Sequence, residues 1–433
     1  MSLKKEVIRG VKWTSITTFV IIVCNILKVS FLTRLIEKAD FGIIAIVNVF
    51  LGFVNILIDF GISSAIFHRE AITKDEYSSL YWTNLIFSVI LFIVVILMAP
   101  IVGAFYKDDI YIQIVPLMGL NVLFFAIGRQ FKVVEEKKLK FKWIGIVEAF
   151  SAITGLSVSI VLALNNYGVY SLVYSILVQY GMSNFVYLIY GISQRRIRFH
   201  YNFLETRPFL SIGIYQIGSQ TINYFNRDFD VLIFGKMFGA EITGVYSLAK
   251  QLAMRPTQFI NPIITKVATP ALAKVQKDLE KLKYYYLKLV NVVASINLPI
   301  YIVMFLFAEA IVKIMYGVGY ANGVYFVKAL SVIALIRAFG NPIGSLVVAT
   351  GKTKIEFRWN LFVTLLVPTM LLLSSNFGIH IAVFCLLVTR LMLFVPSWRF
   401  LVYKLTGIKL VELLQTIFNI KDYLNNIREL RKN

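Results

Sequence analysis

A row of polar side chains runs through one otherwise apolar stretch, residues 209–234, FLSIGIYQIGSQTINYFNRDFDVLIF. The spacing between its members is four, three, four and three residues, so a helix places them on one face; they are Gln216, Gln220, Asn223, Arg227 and Asp230. Amide, guanidinium and carboxylate groups together can bind hydroxyls and phosphates. A charged side chain at membrane depth costs at least about 2.5–3.5 kcal/mol, so this face should meet protein or a water-filled cavity rather than lipid.

The composition indicates an integral membrane protein. Of the 433 residues, 58% are hydrophobic, and the mean hydropathy of +0.75 is too high for a soluble domain. Long apolar runs recur along the chain, which predicts helices rather than barrel strands. The formal net charge of +21 does not indicate nucleic acid, because the basic residues lie in short loops between apolar runs. Cys24 and Cys385 both fall inside such runs, so neither a disulfide nor a metal site is expected, and no cofactor is predicted.

Hydropathy predicts twelve transmembrane helices. They run near residues 11–35, 41–66, 80–102, 110–131, 143–164, 168–191, 209–234, 240–268, 286–308, 324–349, 356–375 and 378–403. Every second loop is rich in lysine and arginine, so the positive-inside rule predicts that both termini are cytoplasmic. We expect an N-terminal lobe of six spans (residues 1–200), a C-terminal lobe of six spans (201–405) and a cytoplasmic amphipathic tail helix (406–433).

The two predicted lobes contain an internal repeat. LIEKADFGII from Leu35 aligns with MFGAEITGVY from Met237, which brings Gly42 onto Gly244 at an offset of 202 residues. The same offset places the row on span seven over a row on span one that includes Asn25 and Lys28, and it places Asn48, Gly52, Asn55 and Asp59 over Lys250, Met254, Thr257 and Asn261. With six spans per half the repeat is parallel, which predicts a polar cleft between the lobes. The alternative is that these side chains only join helices by hydrogen bonds.

One stretch resembles a known family. TRLIEKADFGIIAIVNVFLGFVNILIDFGISSAIFHRE, residues 33–70, is similar to the hallmark segment of the polysaccharide transporter family, and GAEITGVYSLAKQL, residues 239–252, is similar to its counterpart in the second half. That family belongs to the superfamily of multidrug extruders and lipid-linked oligosaccharide flippases, the MOP superfamily. The resemblance implies an all-α membrane fold of two six-helix lobes around a central cavity, and alternating access for an undecaprenyl-pyrophosphate-linked oligosaccharide.

The resemblance also implies a cationic cavity, which we assign to basic residues within the spans: Lys28, Arg227, Lys250, Arg255, Arg337 and Arg390. The neutral residues of the polar rows are predicted to line the same cavity; they are Asn25, Gln216, Gln220, Asn223 and Asn55. Carboxylates at membrane depth often relay protons or bind ions, so Asp59, Asp228 and Asp230 are candidates for ion coupling or for a gate. For each cation, pairing with a nearby carboxylate is the structural alternative.

The predicted partners are a lipid-linked oligosaccharide and membrane lipids, with polysaccharide polymerase and assembly proteins as further partners, and no nucleic acid. Two other functions stay open. A multidrug extruder would share the fold, although cationic drugs would favour acidic rather than basic cavity residues. A membrane polymerase or ligase of glycan assembly would be an enzyme, but it would be expected to carry a large outer loop, and the outer loops here are short. We therefore predict a transporter and no catalytic residues.

Overall fold

The computed structural model describes residues 3–58, 66, 72–194 and 197–419, with the side chains of residues 3–8, 207–217, 219 and 262–263 left aside. These residues form two compact units: one runs to Gly244 and includes Met315–Gly317, and the other comprises Val245–Ile314 and the chain from Val318 onward. All regular structure in the described ranges is helical. The predicted lobe boundary near residue 200 stays a prediction.

The first unit begins with six helices. They are α1 (Leu3–Leu32), α2 (Lys38–Ile58), α3 (Lys74–Tyr106), α4 (Ile110–Lys137), α5 (Phe141–Leu164) and α6 (Val169–Gln194). Helix α1 packs on α5, α3 on α4, and α6 on both α4 and α5. A buried cluster that includes Tyr77, Phe131 and Tyr187 fills one end of this bundle. Helix α3 begins at a capping box, in which the Thr73 hydroxyl accepts from the Glu76 amide at 3.2 Å and the Glu76 carboxylate accepts from the Thr73 amide at 2.9 Å.

The next helix, α7 (Phe203–Lys274), consists of two halves that meet at Gly239. Gly239 has φ 80° and ψ 177°, a conformation essentially confined to glycine. The two halves are therefore separate elements, the first at residues 203–238 and the second at 240–274. Eleven described helices are long and apolar enough to cross a membrane, and α7 is one of them. Counting its halves separately gives the twelve spans that the sequence predicts.

The second unit contains the second half of α7 from Val245 onward, followed by α8 (Leu279–Leu306), α10 (Gly323–Thr350), α11 (Thr353–Ser375) and a final span. A short helix, α9 (Ala308–Tyr316), lies between α8 and α10. The final span comprises α12 (Ile379–Met392), α13 (Phe394–Ser397), a π-helix (Trp398–Tyr403) and α14 (Lys404–Thr406). Helix α10 continues through Pro342, although FGNPIGS at residues 339–345 suggests an interruption.

The described part of the predicted tail helix is α15, Leu410–Phe418, and residues 420–433 lie outside the described ranges. Helix α15 packs on α8, with Leu413 and Ile417 buried. The Lys283 ammonium donates to the Glu412 carboxylate at 3.0 Å, and the Asn291 amide donates to the Thr416 carbonyl at 2.9 Å. The apolar face of α15 is therefore covered by its own unit, at least in part.

The repeat-equivalent glycines lie against each other where α2 and the second half of α7 begin. A Cβ added to Gly42 would lie 1.8 Å from the Ala240 carbonyl oxygen, and one added to Gly244 would lie 2.0 Å from the Lys38 carbonyl oxygen. Because Lys38 and Ala240 are themselves 202 residues apart, the two contacts are related by the repeat. The Lys38 ammonium also lies 3.6 Å from the Glu241 carboxylate. Glycine is required at both positions because the backbones touch.

Candidate substrate site

One member of the polar row on the first half of α7, Arg227, forms an ion pair with the next residue in the chain, Asp228. The Arg227 Nε donates to the Asp228 carboxylate at 2.8 Å, and the guanidinium lies 5.3 Å from the centre of the Tyr224 ring. The Arg227 side chain is nevertheless 55% exposed, whereas that of Asp228 is 19% exposed. The pair therefore holds the guanidinium in place and leaves much of it accessible to an anionic ligand.

Tyr224 fixes this part of α7 against α2. Its hydroxyl donates to the backbone carbonyls of Val49 at 2.8 Å and Asn48 at 3.2 Å. A Cβ on Gly52 would lie 2.1 Å from the same hydroxyl oxygen, so the ring needs a glycine opposite it. The polar row is thus held by a side chain on the neighbouring face of its own helix.

Lys28 is buried inside the first unit, with 9% of its surface exposed. Its ammonium donates to the Ser175 hydroxyl on α6 at 3.2 Å. Asn25, one turn earlier on α1, is half-buried. An ammonium so deep in a membrane span is costly unless polar groups or an anion surround it, and Ser175 supplies one such group.

Basic side chains also gather within the second unit. Lys250 is buried, with 7% exposure, and Met254 follows it by one helical turn on the second half of α7. Nη1 of Arg337, on α10, lies 3.9 Å from the Met254 sulfur, which places this guanidinium at the helix face that carries Lys250. Arg255 adjoins Met254 in the chain and is half-buried. Three of the predicted cavity cations therefore approach one helix segment.

For most of the remaining predicted site residues, the structure gives only the exposure of the side chain. Gln220, Asn223 and Asn55 are exposed, and Arg390 and Asp230 are half-buried. One oxygen of Asp230 accepts from the Val231 amide at 3.0 Å. The side chain of Gln216 and the whole of Asp59 lie outside the described residues. Their assignment to the substrate cavity, to ion coupling or to a gate stays a prediction.

The structure adds a polar pocket inside the first unit that the sequence did not indicate. It has a volume of 180 Å³ and is lined by Arg129, Lys132, Glu148, Gln179 and Asn184, among others. Lys132 is ion-paired with Glu148 and lies 3.8 Å from Glu136. The sequence places Lys132 in a loop after a span ending at residue 131, whereas α4 continues to Lys137 and carries the side chain along the bundle. Arg129 and Lys132, three residues apart on one helix face, were the available signal.

The sequence of this chain matches a family model described as "Polysaccharide biosynthesis protein" over residues 31–325. The chain belongs to this family. The matched region contains the whole of the hallmark segment and of its second-half counterpart, so the resemblance predicted from residues 33–70 and 239–252 is confirmed.

One relative of this chain is the lipopolysaccharide biosynthesis protein WzxC of Escherichia coli (strain K12). The two are 30% identical over 366 residues, which cover 84% of this chain and 74% of the relative. Its similarity extends well beyond the two motif segments, because those fill only a small part of the aligned length.

Solved structures with the same fold include two transporters. The lipid II flippase MurJ in an inward closed conformation superposes with a TM-score of 0.76 at 13% identity, covering 94% of this chain and 90% of that one. A multidrug resistance MATE family transporter of the MOP superfamily, in an inward-facing conformation, superposes with a TM-score of 0.71 at 12% identity, covering 92% and 98%. At such low identity these matches establish the fold alone. The predicted all-α membrane fold of the MOP type is confirmed, and the protein is a multi-pass membrane protein.

Proposed function

We propose that this protein is a flippase that moves an undecaprenyl-pyrophosphate-linked oligosaccharide across the bacterial cytoplasmic membrane by alternating access, for the synthesis of a surface polysaccharide. The observation that carries the proposal is the burial of Lys28 and Lys250 in membrane-spanning helices, with exposures of 9% and 7%. Family membership supports the same conclusion, since relatives such as WzxC are named for lipopolysaccharide synthesis.

The chemistry of the cargo explains why such residues are useful. The hydroxyls and phosphates of a sugar headgroup would lose their water in hydrocarbon without gaining new partners, which makes unassisted crossing prohibitive. Amides and cations inside the protein replace that water while the lipid chain stays in the bilayer. Arg227 and Arg337 can each hold a phosphate through two parallel hydrogen bonds, and lysine supplies a point charge.

The orientation follows from the loops. The excess of lysine and arginine in alternate loops favours cytoplasmic termini. In this proposal the lipid-linked substrate is loaded from the cytoplasmic side. Membrane lipids surround such a protein, and polymerase and assembly proteins that use the translocated repeat unit would be its functional partners. In this proposal the chain binds and releases its cargo without making or breaking a covalent bond, so it is a transporter rather than an enzyme.

A reconstituted assay tests the proposal. The purified full-length protein would be placed in proteoliposomes with a defined undecaprenyl-pyrophosphate oligosaccharide, and accessibility of the sugar to an external lectin would report its translocation. We expect translocation by the wild type and a loss of about tenfold or more in the Lys250→Gln/Arg337→Gln double variant, because each contact of a charged group to the phosphates is worth about 1.5–3 kcal/mol. Lys313→Gln, at an exposed lysine of α9, is the matched control and should keep the wild-type rate.

The same vesicles distinguish the alternatives. Transport of a cationic dye without sugar translocation would indicate a multidrug extruder, and elongation of the glycan would indicate an assembly enzyme. Full translocation by the double variant would contradict the assignment of these two cations to the cargo.

A further inference from the structure

A long groove runs along the second unit between α11 and the final span. Its volume is 820 Å³, and it extends from Ile355 to Met370 on α11 and from Thr389 to Lys404 on the antiparallel partner. The fifteen steps along the helix from Ile355 to Met370, at a rise of about 1.5 Å each, make the groove about 22 Å long. That length exceeds the thickness of one hydrocarbon leaflet, which is half of about 30 Å.

The walls of the groove are apolar and partly aromatic. The Trp359 ring lies 5.8 Å from that of Phe362 and 6.3 Å from that of Phe400, between ring centres. Phe400 belongs to the π-helix at Trp398–Tyr403, which begins two residues after Pro396. A π-helical turn changes the direction in which side chains leave the helix, and such turns are frequent at functional sites. Here the turn accompanies the placement of Phe400 and Lys404 at the groove.

The positively charged residues that line the groove lie at one of its ends. Arg358 and Lys404 line the groove at the end where α11 begins and the final span finishes, and both are exposed. In the described part of the chain neither side chain is ion-paired with a carboxylate. The nearest acidic residue in sequence, Glu356, faces elsewhere, since its carboxylate lies 3.7 Å from the Cβ position of Gly344 on α10. The cations are therefore available to an external anion.

We propose that this groove binds one anionic glycerophospholipid, with its acyl chains along the apolar walls and its phosphate between Arg358 and Lys404. Basic pockets between membrane helices bind acidic headgroups because the cations replace the counter-ions of the phosphate. The indole of Trp359 lies at the same end, where an amphipathic ring suits the level of lipid headgroups. The positive-inside bias predicts that this is the cytoplasmic leaflet.

The groove favours a resident phospholipid over the transported cargo. Beyond its charged end the lining is apolar as far as Thr389, so a sugar or pyrophosphate headgroup would find few partners along it. A phospholipid needs polar contacts at one end only. The site is also built from α11 and the final span, whereas Lys28, Arg227 and Lys250 lie on α1 and α7.

Native mass spectrometry of the full-length protein in detergent tests the proposal. Phosphatidylglycerol, phosphatidylcholine of the same acyl composition and undecaprenyl pyrophosphate would each be titrated into wild type, Arg358→Gln/Lys404→Gln and the control Lys352→Gln/Lys354→Gln. The control removes two exposed lysines of the same region that do not line the groove. A third variant, Leu366→Trp, fills the middle of the groove while leaving both cations in place.

We expect wild type and control to bind one phosphatidylglycerol in preference to phosphatidylcholine. The Arg358→Gln/Lys404→Gln variant should lose about tenfold or more in affinity, and Leu366→Trp should lose the bound lipid as well. An unchanged thermal midpoint in lipid-free detergent would show that the variants are folded. Equal binding of phosphatidylcholine would mean that only bulk lipid fills the groove and would overturn the proposal, as would unchanged binding in the double variant. Displacement of phosphatidylglycerol by an equimolar amount of undecaprenyl pyrophosphate would also overturn it, by making the groove a site for the cargo.

Discussion

Gly42 and Gly244 keep the same contact in both halves of the repeat, whereas Lys28 and Asp230, which are equivalent by the same offset of 202, do not. Each glycine touches the carbonyl four residues before its counterpart. Lys28, in contrast, is buried and donates to Ser175 on α6, while Asp230 is half-buried and accepts from the amide of the next residue.

The difference shows which constraints a repeat retains. Two backbones that touch cannot accept a Cβ on either side without moving the helices, so both halves need glycine at the crossing. A polar side chain can find another partner with a change of rotamer, so equivalent positions can carry opposite charges. Packing at the crossing is thus symmetric, and the chemistry of the polar rows is not.

The largest effect is expected at the glycine crossing. Gly42→Ala and Gly244→Ala should each destabilise the protein by about 3 kcal/mol or more, because the added Cβ meets backbone atoms rather than a flexible side chain. Thermal melting of the purified protein, together with the fraction that elutes as a monodisperse peak, measures the loss. Gly340→Ala is the control, since a Cβ there has nothing within 4 Å. If alanine at one of the two glycines leaves stability unchanged, the two contacts of the crossing do not contribute equally to the free energy of unfolding.

A smaller effect is expected around Lys28. Ser175→Ala removes an acceptor from the buried ammonium and should lower the free energy of unfolding by about 1.5–3 kcal/mol, the contribution of a hydrogen bond to a charged group. Ser171→Ala on the same helix is the control, because its hydroxyl donates locally to the Gly168 carbonyl at 2.6 Å. Chemical denaturation in mixed micelles measures both. Equal effects of the two substitutions would mean that Lys28 does not depend on Ser175.

The Lys132–Glu148 pair in the polar pocket should contribute less. Its side chains are 30% and 28% exposed, so a double-mutant cycle with Lys132→Met and Glu148→Gln should give a coupling of about 1 kcal/mol. Glu148→Gln alone should be more destabilising than the double variant, because the Lys132 ammonium then faces a neutral amide in place of the Glu148 carboxylate. A coupling indistinguishable from zero would show that solvent in the pocket screens the pair completely.

The smallest expected effect concerns pH and the docking of α15. A hydrogen bond from Lys283, followed by one from the Lys409 amide, lowers the pKa of Glu412 below its ordinary value of 4.5. A depressed carboxyl pKa stabilises the folded state above the unfolded pKa, and that stabilisation is lost as the pH falls through the folded pKa. Deuterium uptake by residues 410–418 should therefore increase, relative to α8, as the pH is lowered below about 4.5.

Glu412→Gln tests this origin of the acid response. The variant should show a looser α15 already at neutral pH, with little further change on acidification. Glu280→Gln, at an exposed carboxylate of α8, is the matched control and should keep the wild-type profile. The same pH profile in wild type and Glu412→Gln would place the acid-sensitive group elsewhere.

Much of the fold follows from simple patterns in the chain. Apolar runs of about 20 residues have to span the bilayer as helices, because no other backbone arrangement satisfies its own hydrogen bonds there without closing into a barrel. This is why twelve spans were predictable, although the seventh and eighth follow each other in α7 and are separated only by the break at Gly239. The boundary of α4 was less predictable, since Lys132 lies within the helix and is neutralised there by Glu148.

The sequence by itself determined the membrane class, the number of spans, the family and the repeat, because hydropathy and glycine spacing are local properties that survive without knowledge of contacts. Only the tertiary structure decided that Arg227 pairs with Asp228, that Lys28 reaches Ser175, and that Arg337 joins the helix face of Lys250. It also placed Arg358 and Lys404 at one end of an apolar groove. These contacts depend on which helices, distant in sequence, pack against each other. A charged side chain has several possible partners in the sequence, and only the packing of the helices decides which of them lies within reach.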